Sequence, residues 1–459
     1  MNQYLKADAS TAVDIALTYG LLQRTETGGL THCPLMLSPV PITNLLIAQL
    51  ESLAQPLALL MHRVANNLEF LIEQLQFTAA SDEYTGFLLS LAIEEKRRQD
   101  TLRFSITRSD YFMKQQGEGL RQVEFNTVAA SYIGLSQKIT EFHQTWGNRC
   151  HETWDLLPNK PIEVIADAFV EVINEYGVSD GCVLFIVQAN ERNIFDQRLL
   201  EIALIQRGMR VVRASLEAIG EQGELRNGNL VFNGEIAAIS YFRAGYRPDE
   251  FESKTARQGR QLISHSTTIS VPDLPTHLAG TKKIQQVLTS PEVLKLFLDE
   301  EDTALVKSAF AGIYTLDTPI EFAGKTMLAS EAAILQPEQF VLKPQREGGG
   351  FNLYGEDIRQ CLTNIQPQER NAYILMERLY PPKSLGWGLR NGEIWQGEVV
   401  HEIGQFGVLM ARGDEVLTNQ AAGYLVRTKL YDMNEGGISG GYGHLNSLLK
   451  KGFEVMSNE

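Results

Sequence analysis

Hydrophobic residues recur at helical spacing through the first part of the chain. Between Asn44 and Phe77, Leu, Ile and Ala return every three or four positions, a pattern that predicts amphipathic helices with one buried face. Pro56 falls inside this pattern and predicts a break or kink, because proline lacks the backbone donor that a helix interior uses. We therefore expect residues 1 to about 105 to be helical, with their apolar stripes serving as packing surfaces.

The pattern then changes to short strands. Residues 108–113 and 121–126 flank a glycine-containing turn, which predicts a β-hairpin. Folding about that turn brings Arg108 to the same end as Asn126. Glu124 and Asn126 are two positions apart, so they project from one strand face and would supply half of a magnesium site. For this pair alone, an exposed strand face with two polar residues is the competing interpretation.

Helices and strands alternate after residue 160. A helix over 162–176, stopped by Gly177, precedes the continuous apolar run 182–187, which is typical of a strand buried on both faces. A second helix and the strand 209–213 follow, and this β-α-β order predicts ligands at the carboxyl end of the first strand. The polar residues at that end are Glu191, Asn193 and Gln197. Asn193 also fits the N-cap of the second helix.

Positively charged side chains lie at the ends of later predicted strands and helices. Arg243 follows the predicted strand 237–242, where it suits a carboxylate, although a solvated surface arginine is the alternative. Lys282 and Lys283 occupy the first turn of a helix that begins at Thr281. There they oppose the helix dipole, which hints at an anion to be met.

Three further segments extend the pattern. Residues 373–379 predict a buried strand, 389–392 a hairpin turn and 393–400 the strand after it. The glycines of 436–441 predict a mobile lid. This last segment formally contains G-x-S-x-G, but too few residues follow it for the partners of a serine nucleophile.

The most distinctive chemistry lies in the stretch that starts at Phe340. A short apolar run delivers Lys343 to a strand end, and Pro344 stops the strand because it cannot donate to the ladder. Glu347 is a hard oxygen ligand of the kind that Mg²⁺ prefers, and the glycines 348–350 can turn bare N–H groups toward an anion. These are the parts that hold a nucleoside triphosphate. The competing interpretation is a flexible surface turn.

Composition sets the class of protein. The 459 residues are 44% hydrophobic and 21% charged, as in soluble globular proteins. The net charge of -15 argues against a nucleic-acid partner, which needs a basic face. Four scattered cysteines argue against a zinc site or disulfides. We recognise neither a signal peptide nor an apolar run of about 18 residues, so we expect a cytoplasmic protein with no membrane partner.

Longer motifs stand in a fixed order along the chain. They are Arg108-Ser-Asp-Tyr111, Glu124-Phe-Asn126-Thr127, Glu191-Arg-Asn-Ile-Phe-Asp-Gln197, Leu278-Ala-Gly-Thr-Lys-Lys283, Phe340-Val-Leu-Lys-Pro-Gln-Arg-Glu-Gly-Gly-Gly350, Asn352-Leu-Tyr354-Gly355 and Leu425-Val-Arg-Thr-Lys429. Together they resemble the eukaryotic-type glutathione synthetases, a family of the ATP-grasp superfamily. The resemblance runs from about residue 100 to 445 and is weaker over the N-terminal helices.

The resemblance implies an ATP-grasp fold of mixed α+β and α/β type, usually as a homodimer. We expect an N-terminal helical region with part of the core over 1–180 and an inserted parallel β-α-β substrate-binding domain over 181–290. The glycine-rich lid region would span 291–400, and 401–459 would return to the core with the second glycine-rich loop.

The resemblance also implies ATP-dependent joining of γ-glutamylcysteine to glycine, with Mg²⁺ as two ions bound beside ATP. The metal would be held by Glu124, Asn126 and Glu347. ATP would be held by Glu124, Lys282, Lys343, Glu347, Gly348, Gly349, Gly350, Asn352, Tyr354, Met376, Glu377, Leu379, Glu402, Lys429 and Glu435. The peptide and glycine would be held by Arg108, Val128, Ala129, Ala130, Ser131, Glu191, Arg192, Asn193, Gln197, Arg243, Ala244, Gly245, Tyr246, Arg427, Ile438 and Ser439. The catalytic residues would be Arg108, Lys343 and Arg427.

Two positions depart from the family pattern. Ala129 stands where the family often has a serine that contacts substrate, and Gly-Ile-Ser-Gly at 437–440 replaces a Gly-Val-Ala-Ala type of lid. Small side chains suit glycine as the acceptor, but β-alanine or another amine remains an alternative. A nucleotide-binding module without catalysis is the alternative from another class, and the intact metal and phosphate residues argue against it.

Overall fold

The fold is known from a computed structural model that describes residues 8–25, 27–95, 101–115, 119–178, 180–438 and 440–451. Helices are combined with sheets of parallel and antiparallel strands, so the predicted mixed α and β class is confirmed. Two features of the sequence prediction, most of the hairpin turn at 116–119 and Ser439, lie outside the described residues.

A seven-stranded sheet forms the centre of the molecule. Its strands lie in the order Ser384–Arg390, Leu35–Met36, His444–Asn446, Glu415–Leu430, Glu393–Arg412, Leu102–Met113 and Leu120–Asn126. The first of these strands also pairs with the start of the fifth, so the sheet closes on itself at that end. The candidate site lies next to this closed part, at Val400 and Glu402 of the fifth strand and Arg427 and Lys429 of the fourth.

The register of the central sheet brings polar residues of different strands together. Glu402 lies opposite Arg427, and Arg108 lies opposite Asn126, as the predicted hairpin requires. The strand predicted over 393–400 continues to Arg412. It continues because it is hydrogen-bonded to one neighbouring strand on each side. Such long-range pairing outweighs the unfavourable effect of its interior glycines.

The helix Asn44–Asn66 packs against this sheet, and the helices Leu68–Ser81 and Glu83–Glu95 share its apolar core. Pro56 lies inside the first helix, so of the predicted break or kink, the break is wrong. Buried Leu53 and Leu57 on either side anchor that helix in the core, and such packing sustains a helix across an unfavourable residue. The break comes at Asn67, whose side chain accepts from the Phe70 N–H at 3.0 Å and caps the next helix.

The helix Asn44–Asn66 is also, within the described ranges, the one helix long and apolar enough to cross a membrane. Half of its most apolar stretch is buried inside the fold, where it forms part of the core. The expectation that residues 1 to about 105 are helical is only partly right. Short strands, too brief to show a period, precede this helix at Leu22–Arg24, Leu30–His32, Leu35–Met36 and Val40–Ile42.

A second sheet contains parallel strands. Its order is Arg210–Ala214, Cys182–Ile186, Glu235–Phe242, Asn229–Phe232 and Glu224–Arg226, and Ile269–Val271 also pairs with Glu235–Phe242. The pairs 210–214 with 182–186, 182–186 with 235–242, and 235–242 with 269–271 are parallel. The predicted β-α-β order is present, with the helices Pro161–Tyr176 and Ile194–Gln206, and Gly177 ends the first helix at φ +78°.

A third sheet is antiparallel and has the order Ile313–Tyr314, Tyr373–Glu377, Phe340–Pro344 and Leu353–Tyr354. It packs with the helices Ala329–Leu335 and Glu356–Asn364 around a small apolar core. The hairpin Pro319–Phe322 with Lys325–Leu328 lies beside it. Lys343 stands near the end of the strand that the sequence predicted, and Pro344 closes that strand.

The remaining elements connect and cover these sheets. The other described α-helices are Ala9–Thr18, Ile133–Arg149, Leu216–Gln222, Lys254–Ser264, Leu274–Ala279, Lys282–Val287, Pro291–Leu294 and Glu300–Ala309. Short 3₁₀ helices are Pro248–Phe251, Pro337–Gln339 and Pro367–Ala372. Two small sheets pair Leu22–Arg24 with Leu30–His32 and Val40–Ile42 with Leu448–Lys450.

Candidate functional site

A cavity of about 410 Å³ lies between the seven-stranded sheet and the four-stranded sheet. Residues from motifs far apart in the sequence line it together. The predicted site residues in its lining are Arg108, Glu124, Asn126, Val128, Ala129, Ser131, Tyr246, Lys343, Glu347, Gly348, Gly349, Asn352, Tyr354, Met376, Glu377, Leu379, Glu402, Arg427, Lys429, Glu435 and Ile438.

Two carboxylates and two lysines meet at one end of the cavity. Lys282 Nζ lies 2.8 Å from Glu347 Oε1 and 3.7 Å from Glu124 Oε2. Lys343 Nζ donates to the Val123 carbonyl at 3.0 Å. Both lysines are buried. Lys282 therefore meets a carboxylate of the protein itself, which offsets its unfavourable position in the first turn of a helix.

Burial and the neighbouring charges control ionisation at this end. Burial would raise the pKa of Glu124, but Lys282 and Lys343 outweigh it and lower that pKa to about 2. Burial raises the pKa of Glu347 even beside Lys282. Burial would lower the pKa of Lys282, yet the two carboxylates raise it, whereas burial prevails and lowers the pKa of Lys343. The carboxylates thus face a partly buried region in which an added cation would be stabilised.

Two arginines are fixed on the strands beside Glu124. Arg108 donates to Asp110 through two nitrogens, at 2.6 Å to Oδ1 and 2.8 Å to Oδ2. Arg427 donates to Asp110 Oδ2 at 2.9 Å and also contacts the Glu402 carboxylate. Burial opposes the charge of Arg427, but Glu402 and Asp110 raise its pKa. Guanidinium groups held this way are suited to receiving the carboxylates of small ligands.

Asn126 completes the donor set predicted for magnesium. Its Nδ2 donates to the Arg108 carbonyl at 3.3 Å and to Asp110 Oδ2 at 3.0 Å, so its amide oxygen remains as the acceptor for a cation. In the described part of the chain no three His, Cys, Asp or Glu side chains form a metal-binding group. Two carboxylates and an amide still fit Mg²⁺, which completes its shell with phosphate and water oxygens.

The glycine-rich loop has the backbone form that its composition predicts. Gly348, Gly349 and Gly350 have φ angles of +93°, +74° and +79°, a region that other residues rarely adopt. The loop is closed over the cavity by Glu435, which accepts from the Gly350 N–H and from the Tyr354 hydroxyl, each at 3.3 Å. The two glycine-rich segments of the chain are therefore in contact through one carboxylate.

The segment 376–379 lines the cavity near the second glycine-rich segment. Lys429 Nζ donates to the Asn434 carbonyl at 2.6 Å, and Arg378 donates to the Asn434 side chain at 3.0 Å. Burial lowers the pKa of Lys429. Apolar Met376 and Leu379 beside these cations give this end of the cavity the mixed lining that a base and its phosphates require.

Some predicted residues are not among those that line the cavity: Ala130, Glu191, Arg192, Asn193, Gln197, Arg243, Ala244, Gly245, Lys282 and Gly350. Arg243 reaches the lining through Ser131, whose hydroxyl accepts from it at 2.7 Å. Glu191 accepts from the Gln197 side chain at 2.6 Å and from the Asn193 N–H at 2.8 Å. Asn193 does not cap the helix through its side chain. Their roles toward a ligand remain predictions.

Several lining residues were missed by the sequence prediction: Phe112, Val123, Tyr132, Val341, Tyr380, Pro381, Val400, Tyr431, Asp432, Met433 and Asn434. Arg378 lies within the segment 376–379, which was predicted to hold ATP, and it also lines the cavity. Asp110, which is fully buried between the arginines, was also missed. Its position in the motif with Arg108 was a usable signal, since residues two apart on a strand share a face.

Comparisons with known proteins add to this geometry. The family model described as eukaryotic glutathione synthase, ATP binding domain, matches residues 3–449. The chain is 34% identical to a glutathione synthetase of Homo sapiens, over 97% of each chain, and 33% identical to one of Xenopus laevis, over 96% of this chain and 95% of the relative. It is 36% identical to a chloroplastic glutathione synthetase of Solanum lycopersicum, over 91% of this chain and 78% of the relative.

A solved structure resembles the fold as well. A glutathione synthetase-like effector of Globodera pallida, in its apo form, superposes with a TM-score of 0.77 at 20% identity, over 98% of both chains. At that identity the likeness concerns the fold alone.

Proposed function

Because the chain belongs to the eukaryotic glutathione synthase family, we propose that it joins γ-glutamylcysteine to glycine with ATP as the co-substrate. The main support for the proposal is that residues from separate motifs meet in one place. Side chains from separate motifs, from Arg108 to Glu435, line one cavity of about 410 Å³. Its lysines and carboxylates suit a metal-bound triphosphate, and the two arginines beside Glu124 suit the carboxylates of the substrates.

We further propose that the architecture is an ATP-grasp fold. The support is that ATP would lie between two sheets: the four-stranded sheet presents Lys343 and Met376, and the central sheet presents Glu124 and Lys429 from the other side. The parallel sheet would be the inserted substrate-binding domain over 181–290. Tyr246, which follows one of its strands, brings that domain to the same cavity.

The charge of the cavity supports the proposal of magnesium. Five cationic and six carboxylate side chains line it, so the pocket alone does not neutralise ATP, whose phosphates carry about four negative charges. Two Mg²⁺ ions bound with ATP would offset that charge. Glu124, Asn126 and Glu347 would hold the metal, which would supply charge neutralisation at the phosphates.

Making an amide from a carboxylate requires activation, because a carboxylate is a poor electrophile. In the proposed sequence, a cysteinyl carboxylate oxygen attacks the γ-phosphorus of ATP, the bond to ADP breaks and an acyl phosphate forms. Lys343 and Lys282 lie beside the loop that would hold the γ-phosphate. Their charge would stabilise the transferred phosphoryl group.

The acceptor amine then completes the reaction. Glycine's nitrogen attacks the acyl carbon, the amide bond forms with loss of a proton, and phosphate leaves with the former carboxylate oxygen. Arg108 and Arg427 would orient the carboxylates and stabilise the oxyanion at that carbon. No nucleophilic side chain is needed, and closure of the two glycine-rich loops would keep water from the acyl phosphate.

The proposed acceptor is glycine. Support comes from the wall around Ile438, where Gly436, Gly437 and Gly440 also line the cavity. Ile438 is itself buried, so the wall cannot yield much to a larger acceptor. The experiment that tests the function is ADP release by the purified protein with ATP, Mg²⁺ and γ-glutamylcysteine, with glycine, β-alanine or no amine, followed by mass analysis of the product.

Each outcome of that experiment has a clear meaning. Glycine-dependent ADP release with a tripeptide product supports the proposal, and preference for glycine in direct competition fixes the acceptor. A preference for β-alanine would retain the ligase and change its product. ADP release without any amine requirement would indicate phosphotransfer, and ATP binding without ADP release would leave only a binding module.

We also propose a cytoplasmic homodimer, as the family resemblance implies. A dimer would show twice the chain mass of 51.3 kDa in light scattering, and a mass of one chain would contradict it. Cell fractionation tests the compartment, since the tomato relative is a chloroplastic protein by name.

A further inference from the structure

Asp110 lies between the two arginines and Asn126. Its carboxylate is fully buried and accepts from Arg108 at 2.6 and 2.8 Å. It also accepts from Arg427 at 2.9 Å and from the Asn126 amide at 3.0 Å. The Asp110 side chain therefore contacts both arginines and the amide of Asn126, which belongs to the predicted metal ligands.

The backbone around Asp110 leaves space for this arrangement. Gly404 lies opposite Asp110 on the neighbouring strand. A Cβ placed on Gly404 would lie 2.5 Å from Asp110 Oδ1 and 2.8 Å from Arg108 Cδ, closer than such atoms approach in proteins. Only glycine at this position allows the carboxylate and the guanidinium to lie flat against the strand.

We propose that Asp110 is a positioning residue that aligns Arg108 and Arg427 for the carboxylate substrates and holds the Asn126 oxygen toward magnesium. The inference rests on the proposed function. Asp110 does not line the cavity, so it acts through its three partners and not by touching substrate. It would thereby couple the predicted metal ligand Asn126 to the two arginines that face the substrate carboxylates.

The physical reason is orientation. Arg108 gives two of its nitrogens to Asp110, and a third donates to the Ser131 carbonyl at 3.3 Å, so the plane of its guanidinium is fixed. Bidentate recognition of a carboxylate requires such a fixed plane. At Asn126, the bond from Nδ2 to Asp110 sets which amide atom faces the cavity. Groups that orient a metal ligand in this way typically affect metal affinity about 10- to 100-fold.

The test is Asp110→Asn, compared with Asp273→Asn. Asp273 is also buried, and it pairs at 2.7 Å with Arg103, which lies on the same strand as Asp110. Asp273→Asn therefore removes a comparable buried ion pair that does not line the cavity. We would measure unfolding temperature, ATP binding across a Mg²⁺ titration, and γ-glutamylcysteine binding without metal. For Asp110→Asn we expect a Mg²⁺ requirement and a peptide Kd each raised about tenfold or more, and no such change in the control.

Unchanged Mg²⁺ dependence and unchanged peptide affinity in folded Asp110→Asn protein would overturn the inference. If that variant does not fold, Gly404→Ala decides, because it displaces Asp110 and Arg108 while keeping both charges. Its control is Gly407→Ala on the same strand, whose Cβ would lie 3.2 Å from Thr107 Oγ1. Normal binding of Mg²⁺, ATP and peptide by Gly404→Ala would equally refute the role of Asp110.

These readouts separate the two proposals. A wild-type protein that binds ATP with Mg²⁺ but makes no tripeptide contradicts the proposed function. The dependence of ATP binding on Mg²⁺ in Asp110→Asn would still decide whether Asp110 positions Asn126.

Discussion

The cavity has a floor and a roof of opposite character. The floor consists of Arg108, Glu402 and Arg427 on long strands of the central sheet, with Asp110 beneath them, and all except half-buried Arg427 are buried. The roof consists of the glycine-rich segment 348–350 and the described residues 434–438 and Gly440, and the three glycines of the first segment are exposed. Charge-assisted bonds of 2.6–2.9 Å hold the floor together, whereas two bonds of 3.3 Å from Glu435 join the roof.

This contrast indicates that the floor and the roof have different roles. Charge develops at the carboxylates during the reaction, and preorganised donors stabilise such charge best when they do not have to move. Ligands must enter and products must leave through the roof, which requires a segment that opens at little cost. Changes to the floor should therefore affect the chemical step, and changes to the roof should affect entry, release and exclusion of water.

The largest expected effect is at the floor. Arg427→Lys keeps the positive charge but loses the planar fork, so we expect kcat/KM for glycine and peptide to fall about 100- to 1,000-fold while ATP binding stays intact. Steady-state kinetics and nucleotide titration measure this split. Arg103→Lys, a buried arginine of the same sheet that pairs with Asp273, is the control. Wild-type kcat/KM in Arg427→Lys would show that the floor does not orient the carboxylates.

The second-largest effect is expected at the predicted metal site. Glu347→Gln removes a negative charge beside Lys282, so we expect the Mg²⁺ concentration for half-maximal activity to rise about 10- to 100-fold. A Mg²⁺ titration of activity and of ATP binding measures it. Glu201→Gln, a buried glutamate paired with Arg213 at 3.2 Å, controls for loss of a buried carboxylate. Identical Mg²⁺ curves for Glu347→Gln and wild type would remove Glu347 from the metal site.

A smaller effect is expected at the roof. Tyr354→Phe removes one bond to Glu435, and Glu435→Gln weakens both, so we expect a two- to tenfold rise in KM for ATP, about the effect of one hydrogen bond. ADP release per tripeptide should also rise, because water would reach the acyl phosphate more often. Coupled ADP and product assays measure the ratio. If both variants kept tight coupling and a normal KM, these contacts would not hold the roof closed.

The smallest expected effect is a pH dependence of stability beneath the floor. Burial lowers the pKa of His401 to about 4 from its ordinary 6.5. Between pH 6.5 and about 4, His401 binds a proton in the unfolded chain but stays neutral in the folded protein. The contribution of His401 to the free energy of unfolding is therefore complete above pH 6.5 and decreases as the pH falls toward about 4. His401→Gln should flatten this slope, measured by denaturant unfolding at several pH values. Exposed His265→Gln is the control, and a slope unchanged in His401→Gln would contradict the assignment.

Local features of the sequence predicted much of this site. The strand that delivers Lys343, the proline that ends it and the glycines that follow all act within a few residues. The hairpin register that sets Arg108 opposite Asn126 also follows from a turn of known position. Such features depend on backbone conformation and strand periodicity, which neighbouring residues determine.

The features that were not predicted depend on long-range pairing. Asp110 gains its partners only when strands 102–113, 393–412 and 415–430 lie side by side. The extension of the strand after Val400 has the same origin. Pro56 was predicted to break a helix that the core holds together, which illustrates how tertiary packing outweighs local propensity.

The most direct test of the account follows an oxygen atom. γ-Glutamylcysteine labelled with ¹⁸O in the cysteinyl carboxylate would be converted with ATP, Mg²⁺ and glycine, and the released phosphate analysed by mass. Attack of the carboxylate on the γ-phosphorus predicts one ¹⁸O in each phosphate released, together with glutathione as the product. Unlabelled phosphate would show that the carboxylate is not phosphorylated, and would contradict the acyl-phosphate route for which this cavity is proposed.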